Sequence, residues 1–180
     1  MTENIPDETI MKNIKEGNLA EMSVLFERYH VRLFNFFLKM GLKRDVSQDL
    51  TQNLFYRILK YRNSYKEGNS VRSWIYQIAR NLHIDECNQQ KKSDDLSIQT
   101  ETVPGEMPDE SDSYGEEDYI KLDYAFSRLS DSQKEILVLS RYQGLKHAEI
   151  AAITNQSVPA IKVAIHRAIK QLRCVYMKQI

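Results

Sequence analysis

Basic side chains near the end of the chain recur at the spacing of one helical face. At 100° per residue, one side of the segment after Ser157 carries cations and no carboxylate. This face consists of Pro159, Lys162, Val163, His166, Arg167, Lys170 and Arg173. The opposite side must face a core and consists of Ile161, Ile165, Ala168, Leu172 and Val175. Because solvated faces usually mix both signs of charge, this uniformly cationic face favours binding to duplex DNA.

The residues before this segment predict a helix-turn-helix. A capping box, Ser130 to Gln133, opens one helix, and a short helix from Lys146 to Ile153 follows Gly144. Thr154-Asn155-Gln156 then forms a tight turn, in which Asn155 adopts left-handed backbone at low cost. Ser157 caps the last helix and Pro159 is tolerated in its first turn. Such a last helix enters the major groove of DNA.

The order of residues along this helix predicts their roles. Its N-terminal residues reach base edges, whereas later cations contact phosphates. We predict base or groove contacts from Lys162, Val163 and His166, with Ser157 and Pro159 beside them. We predict phosphate contacts from Arg167, Lys170 and Arg173.

The N-terminal half has repeated helical periodicity. Apolar residues from Met22 to Met40 follow the i, i+3, i+4 pattern, which predicts a helix that Gly41 ends. A short helix from Asp7 to Glu16 precedes it, and a third begins near Asp45, whose carboxylate can cap it. The predicted buried stripe of the second helix is Met22, Leu25, Phe26, Tyr29, Leu33, Phe36, Phe37 and Met40.

The third predicted helix leaves a polar strip outside its buried side. The strip is Asp49, Gln52, Asn53, Tyr56 and Arg57. It is either ordinary solvated surface or a docking face for a partner helix.

A loop and a fourth helix follow. Tyr65 to Ser70 has the Gly, Asn and Ser of a loop, and a helix is predicted from Val71 to Lys92. Trp74, Ile75, Ile78 and Leu82 form its buried stripe. Its other side mixes guanidinium, ammonium and amide groups, which suit phosphates and base edges. These groups belong to Gln77, Arg80, Asn81, Asn88 and Lys91.

The sequence favours no catalytic or metal site. It has no glycine-rich phosphate loop, nucleophile elbow or HExxH motif. His83 and Cys87 stand at i, i+4, but no further metal ligand lies near them in sequence. We therefore expect no catalytic residue, no metal and no cofactor.

Charge divides the 180 residues into three parts although the net charge is zero. Residues 1–92 carry a net +4, residues 93–118 a net −10, and residues 119–180 a net +6. The middle part is poor in large apolar residues and contains Pro104, Gly105, Pro108 and Gly115, which predicts a flexible acidic linker. The linker is either a tether or a segment that mimics nucleic acid in a basic channel.

These patterns predict an all-α protein with two small helical domains joined by the linker. Residues 1–92 form a helical bundle and residues 119–180 form the helix-turn-helix domain. No apolar run approaches the roughly 20 residues of a membrane span. The acidic N-terminus and the two unpaired cysteines favour a reducing cytoplasm.

Three segments in this order resemble the extracytoplasmic-function (group four) bacterial sigma factors. They run from Asp49 to Phe55, from Trp74 to Asn81 and from Gly144 to Arg173. The resemblance covers nearly the whole chain outside the linker. It implies a region-two domain and a region-four domain that bind core RNA polymerase, at the beta-prime clamp and the beta flap, and direct it to promoter DNA.

The resemblance also implies roles for the surfaces above. The polar strip Asp49, Gln52, Asn53, Tyr56 and Arg57 would dock on the polymerase clamp. The last helix would read the minus-thirty-five element as duplex. The melted minus-ten strand, with a flipped base, would be taken by Tyr65, Asn69, Ser70, Tyr76, Arg80 and Asn81.

Three departures from the family pattern qualify these roles. Asn53 stands where the family usually has Glu, and Val163-Ala164 where Ser-Arg is common. The end of the fourth helix, Cys87 to Gln90, is less basic than usual. The first removes a charge from the docking face, the second leaves open which residues read bases, and the third weakens strand separation.

Two other classes of protein fit parts of the pattern. A dimeric helix-turn-helix regulator would sense a ligand with its N-terminal half and bind a palindrome without needing polymerase. An all-helical adaptor would bind proteins alone and show no salt-dependent affinity for DNA. Many relatives of the sigma class are held inactive by an anti-sigma factor, which would be a further partner.

Overall fold

The structure is a computed structural model that describes residues 5–94 and 116–178. Within these ranges the chain forms eight α-helices and no β-strand. The helices are α1 (Asp7–Lys15), α2 (Met22–Lys39), α3 (Arg44–Tyr61), α4 (Val71–Asp94), α5 (Glu116–Ser127), α6 (Asp131–Leu137), α7 (His147–Thr154) and α8 (Val158–Met177). The all-α prediction is confirmed.

Helices α1 to α4 form the N-terminal bundle. The apolar side of α2 is buried as its periodicity predicts, with Leu25, Leu33, Phe36 and Phe37 fully enclosed. Phe26 departs from the prediction, because its ring is 44% exposed and stacks on His30 at a centroid distance of 4.7 Å. Its other contact is with the core residue Phe55, at a centroid distance of 4.8 Å, so the ring lies at the edge of the core and not inside it.

Two helix ends test the capping predictions in this half. Gly41 has φ +90°, so it ends α2 with a left-handed backbone that other residues adopt at a cost. The prediction that Asp45 caps α3 is wrong. The helix begins one residue earlier at Arg44, and Lys43 precedes it without a side-chain cap. Asp45 therefore lies in the first turn, where its charge still favours the helix N-terminus.

Helices α5 to α8 form the C-terminal half. The capping box at the start of α6 is confirmed, because Ser130 Oγ accepts from Gln133 N and Gln133 Oε1 accepts from Ser130 N. A π-helical turn, Val138–Tyr142, then leads to α7. The helix-turn-helix is also confirmed. Asn155 takes φ 54° after α7, and Ser157 Oγ accepts from Ala160 N at 3.3 Å to cap α8.

The predicted linker lies mostly outside the described residues, which omit 95–115. Its two edges are helical in the structure. Helix α4 continues to Asp94, and α5 begins at Glu116, inside the segment assigned to the linker from its charge. The start of α5 could not be predicted from composition, because its first turn is as acidic as the preceding segment.

The two halves pack directly against each other. Helix α4 lies against α7, and α2 lies against the π-helical turn. Ile75 and Tyr76 of α4 share one hydrophobic core with Val138 and Leu139 of the turn. In the described residues the two halves therefore meet along α2 and α4.

Candidate nucleic-acid interface

Helix α8 presents the cationic face that its sequence predicts. Ile161, Ile165 and Ala168 are buried, with Ile161 and Ala168 fully enclosed, so the opposite face is turned to solvent. Every predicted duplex-binding residue is exposed. These residues are Ser157, Pro159, Lys162, Val163, His166, Arg167, Lys170 and Arg173. The face is free to approach a DNA groove in this arrangement of the halves.

The loop before α4 lines a cleft of about 570 Å³. Tyr65, predicted as a strand contact, is only 2% exposed, and its hydroxyl donates to the Asn69 carbonyl at 2.5 Å. Its ring packs against Trp74 at a centroid distance of 5.5 Å. Tyr65 therefore shapes the loop from inside, while Asn69 is exposed at the surface.

The far wall of this cleft belongs to α7. Ala148, Glu149 and Ala152 face the loop, and Ser70 Oγ donates to Glu149 Oε1 at 3.3 Å. Trp74 lines the same cleft and is half-buried. A nucleic-acid strand bound to the loop would have to share this cleft with α7 or displace α7 from it.

Two predicted strand-binding residues of α4 are engaged by the C-terminal half. Tyr76 is fully buried, its hydroxyl donates to Gln143 Oε1 at 2.6 Å, and burial raises its pKa to about 12. Arg80 Nε donates to Glu135 Oε1 at 2.7 Å. The expectation that both side chains lie on an open surface is therefore corrected. Asn81, one residue further, is exposed.

Gln143 joins the halves, and the sequence analysis missed it. Its Nε2 donates to the Arg32 carbonyl at 3.2 Å, its Oε1 accepts from Tyr76, and its own carbonyl accepts from the Arg72 guanidinium. The residue is 7% exposed. No sequence signal marks it, because a lone glutamine before a glycine is most often a solvated loop residue.

The polar strip on α3 is placed as predicted, with one exception. Asp49, Gln52 and Asn53 are exposed, and the Tyr56 side chain is 61% exposed. Arg57 instead reaches Asp85 of α4 at 3.5 Å and is half-buried. Four of the five predicted docking residues thus form an open surface.

His83 and Cys87 lie together on α4, with Sγ to Nε2 at 3.5 Å. The described residues contain no group of three or more ligating side chains placed to hold a metal ion. Burial lowers the pKa of His83, although a hydrogen bond to the Met40 backbone and the charge of Asp131 oppose the shift. Arg80 adds to the lowering, and Glu86 opposes it. Folding therefore shifts the protonation equilibrium of His83 towards the neutral imidazole.

The shift at His83 predicts a pH dependence of stability. A lowered folded-state pKa means that the unfolded chain binds more protons below about pH 6.5, so acidification from that point lowers the free energy of unfolding. We expect His83→Asn to flatten this dependence in urea denaturation at about pH 5.5 to 7.5. The exposed His166→Asn is measured beside it as the control for a histidine-to-asparagine substitution. An equal slope in wild type and His83→Asn contradicts the assignment.

Comparison with known proteins agrees with this geometry. Sigma-70 region 2 matches residues 25–93, and sigma-70 region 4 matches residues 119–172. The RNA polymerase sigma factor CarQ of Myxococcus xanthus is 27% identical over 91% of this chain and 93% of its own length. The ECF RNA polymerase sigma factor SigM of Bacillus subtilis (strain 168) is 27% identical over 84% of this chain and 93% of its own length.

Solved structures show the same fold. RpoE from Bartonella quintana, in complex with the anti-sigma factor NepR, matches with a TM-score of 0.73 and 22% identity, over 85% of this chain and 94% of that one. CnrH, in complex with the cytosolic domain of CnrY, matches with a TM-score of 0.69 and 19% identity, over 94% and 96%.

A helical region-two bundle and a region-four helix-turn-helix whose last helix has an exposed cationic face are typical of a transcription initiation factor. The chain belongs to the ECF family of RNA polymerase sigma factors. The comparisons do not support a ligand-sensing dimeric regulator. Among the described residues, no helix is both long and apolar enough to cross a bilayer.

Proposed function

We propose that this sigma factor divides promoter recognition between its halves. The α8 face binds minus-thirty-five duplex, the 65–70 loop and Asn81 capture the melted minus-ten strand, and the α3 strip docks on core polymerase. The observation that carries the proposal is the exposed face of α8, which gathers five basic side chains and no carboxylate. Because core polymerase and the chromosome lie in the cytoplasm, we expect this activity to be cytoplasmic.

Capture of unpaired bases supplies the free energy for opening. Stacking of a base on an aromatic side chain contributes about 1–3 kcal/mol, which is comparable with the few kcal/mol needed to unstack a flipped base. Trp74 is the half-buried aromatic that lines the cleft beside the loop. Because the two quantities nearly balance, the base sequence decides whether the duplex opens.

The two promoter elements are too far apart for the halves as packed. Their names place them roughly 25 base pairs apart, which is about 85 Å at 3.4 Å per base pair. Helix α8 is only about 30 Å long, and the α7 residue Glu149 lies 3.3 Å from Ser70 of the loop. The halves must therefore separate on a promoter, which releases Gln143 from Tyr76 and Arg80 from Glu135.

Run-off transcription tests the function as a whole. Core polymerase, genomic fragments and the purified chain are combined, and promoter-specific transcripts that depend on the chain are expected. Transcription that is unchanged when the chain is omitted would refute the proposal. An inhibitor like the NepR partner of the Bartonella relative is a further proposed partner.

Asn81→Ala separates strand capture from the other steps. The exposed amide can bond a flipped base, so its loss should lower open-complex formation about tenfold. Binding of the variant to core polymerase and to minus-thirty-five duplex should equal wild type. Permanganate footprinting measures the first quantity and fluorescence anisotropy the other two. Equal losses in all three would contradict a role at the minus-ten strand.

A further inference from the structure

Helix α1 lies before the residues that match sigma-70 region 2, which begin at residue 25. It is nevertheless fixed to the bundle. Ile10, Met11 and Ile14 are buried, with at most 1% of each exposed. Asp7 accepts from Arg28 at 2.5 Å and from the Tyr29 hydroxyl of α2. The helix therefore has a defined position relative to α2.

Two polar side chains of α1 hold opposite ends of the strand-capture loop, Tyr65 to Ser70. Lys15 Nζ donates to the Tyr65 carbonyl at 3.2 Å, at the start of the loop. Glu8 Oε1 accepts from the Val71 backbone N–H at 3.4 Å, where α4 begins. Because α1 is anchored on α2, these contacts set the positions of both loop ends.

The other restraints on the loop are local or come from α7. Asn69 N donates to the Lys66 carbonyl at 3.3 Å, and Ser70 Oγ donates to Glu149 of α7. Tyr65 bonds across it to the Asn69 carbonyl, and Ser70 Oγ accepts from Ser73 N at 3.2 Å. Lys66, Glu67 and Asn69 are exposed, and Gly68 has φ +88°. Glu67 adds only a 3.9 Å ion pair to the same lysine, Lys15.

We propose that α1 is a positioning element for promoter melting, with Lys15 as its principal residue and Glu8 as its second. They keep the strand-capture loop in the conformation that receives the unpaired strand. A loop that is already held in its binding conformation loses little further conformational freedom when the strand binds. Its affinity for the strand is therefore higher. The inference rests on the proposed function, because it deepens the role of the 65–70 loop. It assigns no contact with DNA to α1.

The test compares Lys15→Met with Lys12→Met. Both remove one charge from α1, but Lys12 pairs with Glu16 one turn away and has no contact with the loop. Each full-length variant is assembled with core polymerase on a promoter mapped by run-off transcription. We expect Lys15→Met to lower the equilibrium constant for opening about three- to tenfold, and Lys12→Met to leave it unchanged.

Four further readouts and three further variants separate positioning from general damage or the loss of a charge. Binding to core polymerase and to minus-thirty-five duplex should be unchanged, as should the thermal unfolding midpoint. The salt dependence of opening should keep its slope, because the Lys15 amine is bonded to a carbonyl and not to a phosphate. Lys15→Arg should restore opening. Glu8→Gln should also open normally, since an amide oxygen can still accept from Val71, whereas Glu8→Ala should not.

Distinct results overturn the inference and the function. Equal opening by Lys15→Met and Lys12→Met refutes the positioning role while leaving the sigma activity in place. If Lys15→Met lowers polymerase binding and duplex binding as much as it lowers opening, the positioning role is also refuted, because such a result indicates unfolding. A reduced salt slope shows that Lys15 binds phosphate directly and refutes it as well. Failure of wild type to initiate transcription refutes both.

Discussion

Lys162→Ala combined with Arg167→Ala should weaken binding to the minus-thirty-five duplex about a hundredfold at roughly 0.1 M salt. One phosphate contact contributes a log–log slope of about 0.9, so loss of Arg167 alone lowers affinity about eightfold at this salt concentration. Loss of a base contact at Lys162 adds about 1–3 kcal/mol on the cognate sequence. Both side chains are exposed on α8, so the fold should be unaffected. Fluorescence anisotropy with a labelled duplex measures the change.

The single variants distinguish the two roles. Arg167→Ala should weaken binding to all duplexes alike and reduce the slope of log affinity against log salt by about one. Lys162→Ala should weaken binding mainly to the cognate element. Lys12→Ala with Lys43→Ala is the charge-matched control, since both lysines are exposed in the N-terminal half. If this control loses as much affinity as the α8 pair, the duplex does not lie on α8.

Tyr56→Ala should weaken binding to core polymerase about thirtyfold. An exposed tyrosine at the centre of an interface is a typical hot spot, and its truncation costs about 2 kcal/mol. The Tyr56 side chain is 61% exposed and lies beside Asn53 and Gln52 on the polar strip. Competition binding with fluorescently labelled wild type measures the affinity for core polymerase.

Tyr61→Ala provides the matched control for Tyr56. Tyr61 lies on the same helix and is 46% exposed, and both rings lie within 6 Å of Lys60 Nζ. It is outside the predicted strip, so polymerase affinity should be unchanged. A similar loss for both tyrosines would show that α3 docks through another face, or that the strip is ordinary surface.

Periodicity predicted α8 correctly because this helix has one buried and one open side. Burial of Ile161 and Ile165 turns Lys162 and Arg167 to solvent, whatever lies elsewhere in the chain. The same reasoning failed on α4, which is covered on two sides. Tyr76 lies outside the predicted buried stripe, but its ring packs edge-on against Phe36 of α2, and its hydroxyl bonds to Gln143 of the C-terminal half.

Other features could not be read from local sequence. Helix α5 begins in acidic residues that resemble the linker, so composition concealed its start at Glu116. The π-helical turn Val138–Tyr142 follows a helix of ordinary composition. The contacts of Gln143 depend on groups more than sixty residues away in sequence. Long-range packing of this kind leaves no periodic signal.

Trp74 gives the molecule an intrinsic optical reporter. It is the single tryptophan of the chain, and it lies in the cleft between the strand-capture loop and Ala148 and Glu149 of α7. Indole emission shifts to longer wavelength when water replaces protein around the ring. The wavelength of maximum tryptophan emission thus distinguishes the protein with packed halves from the protein with separated halves, without any dye.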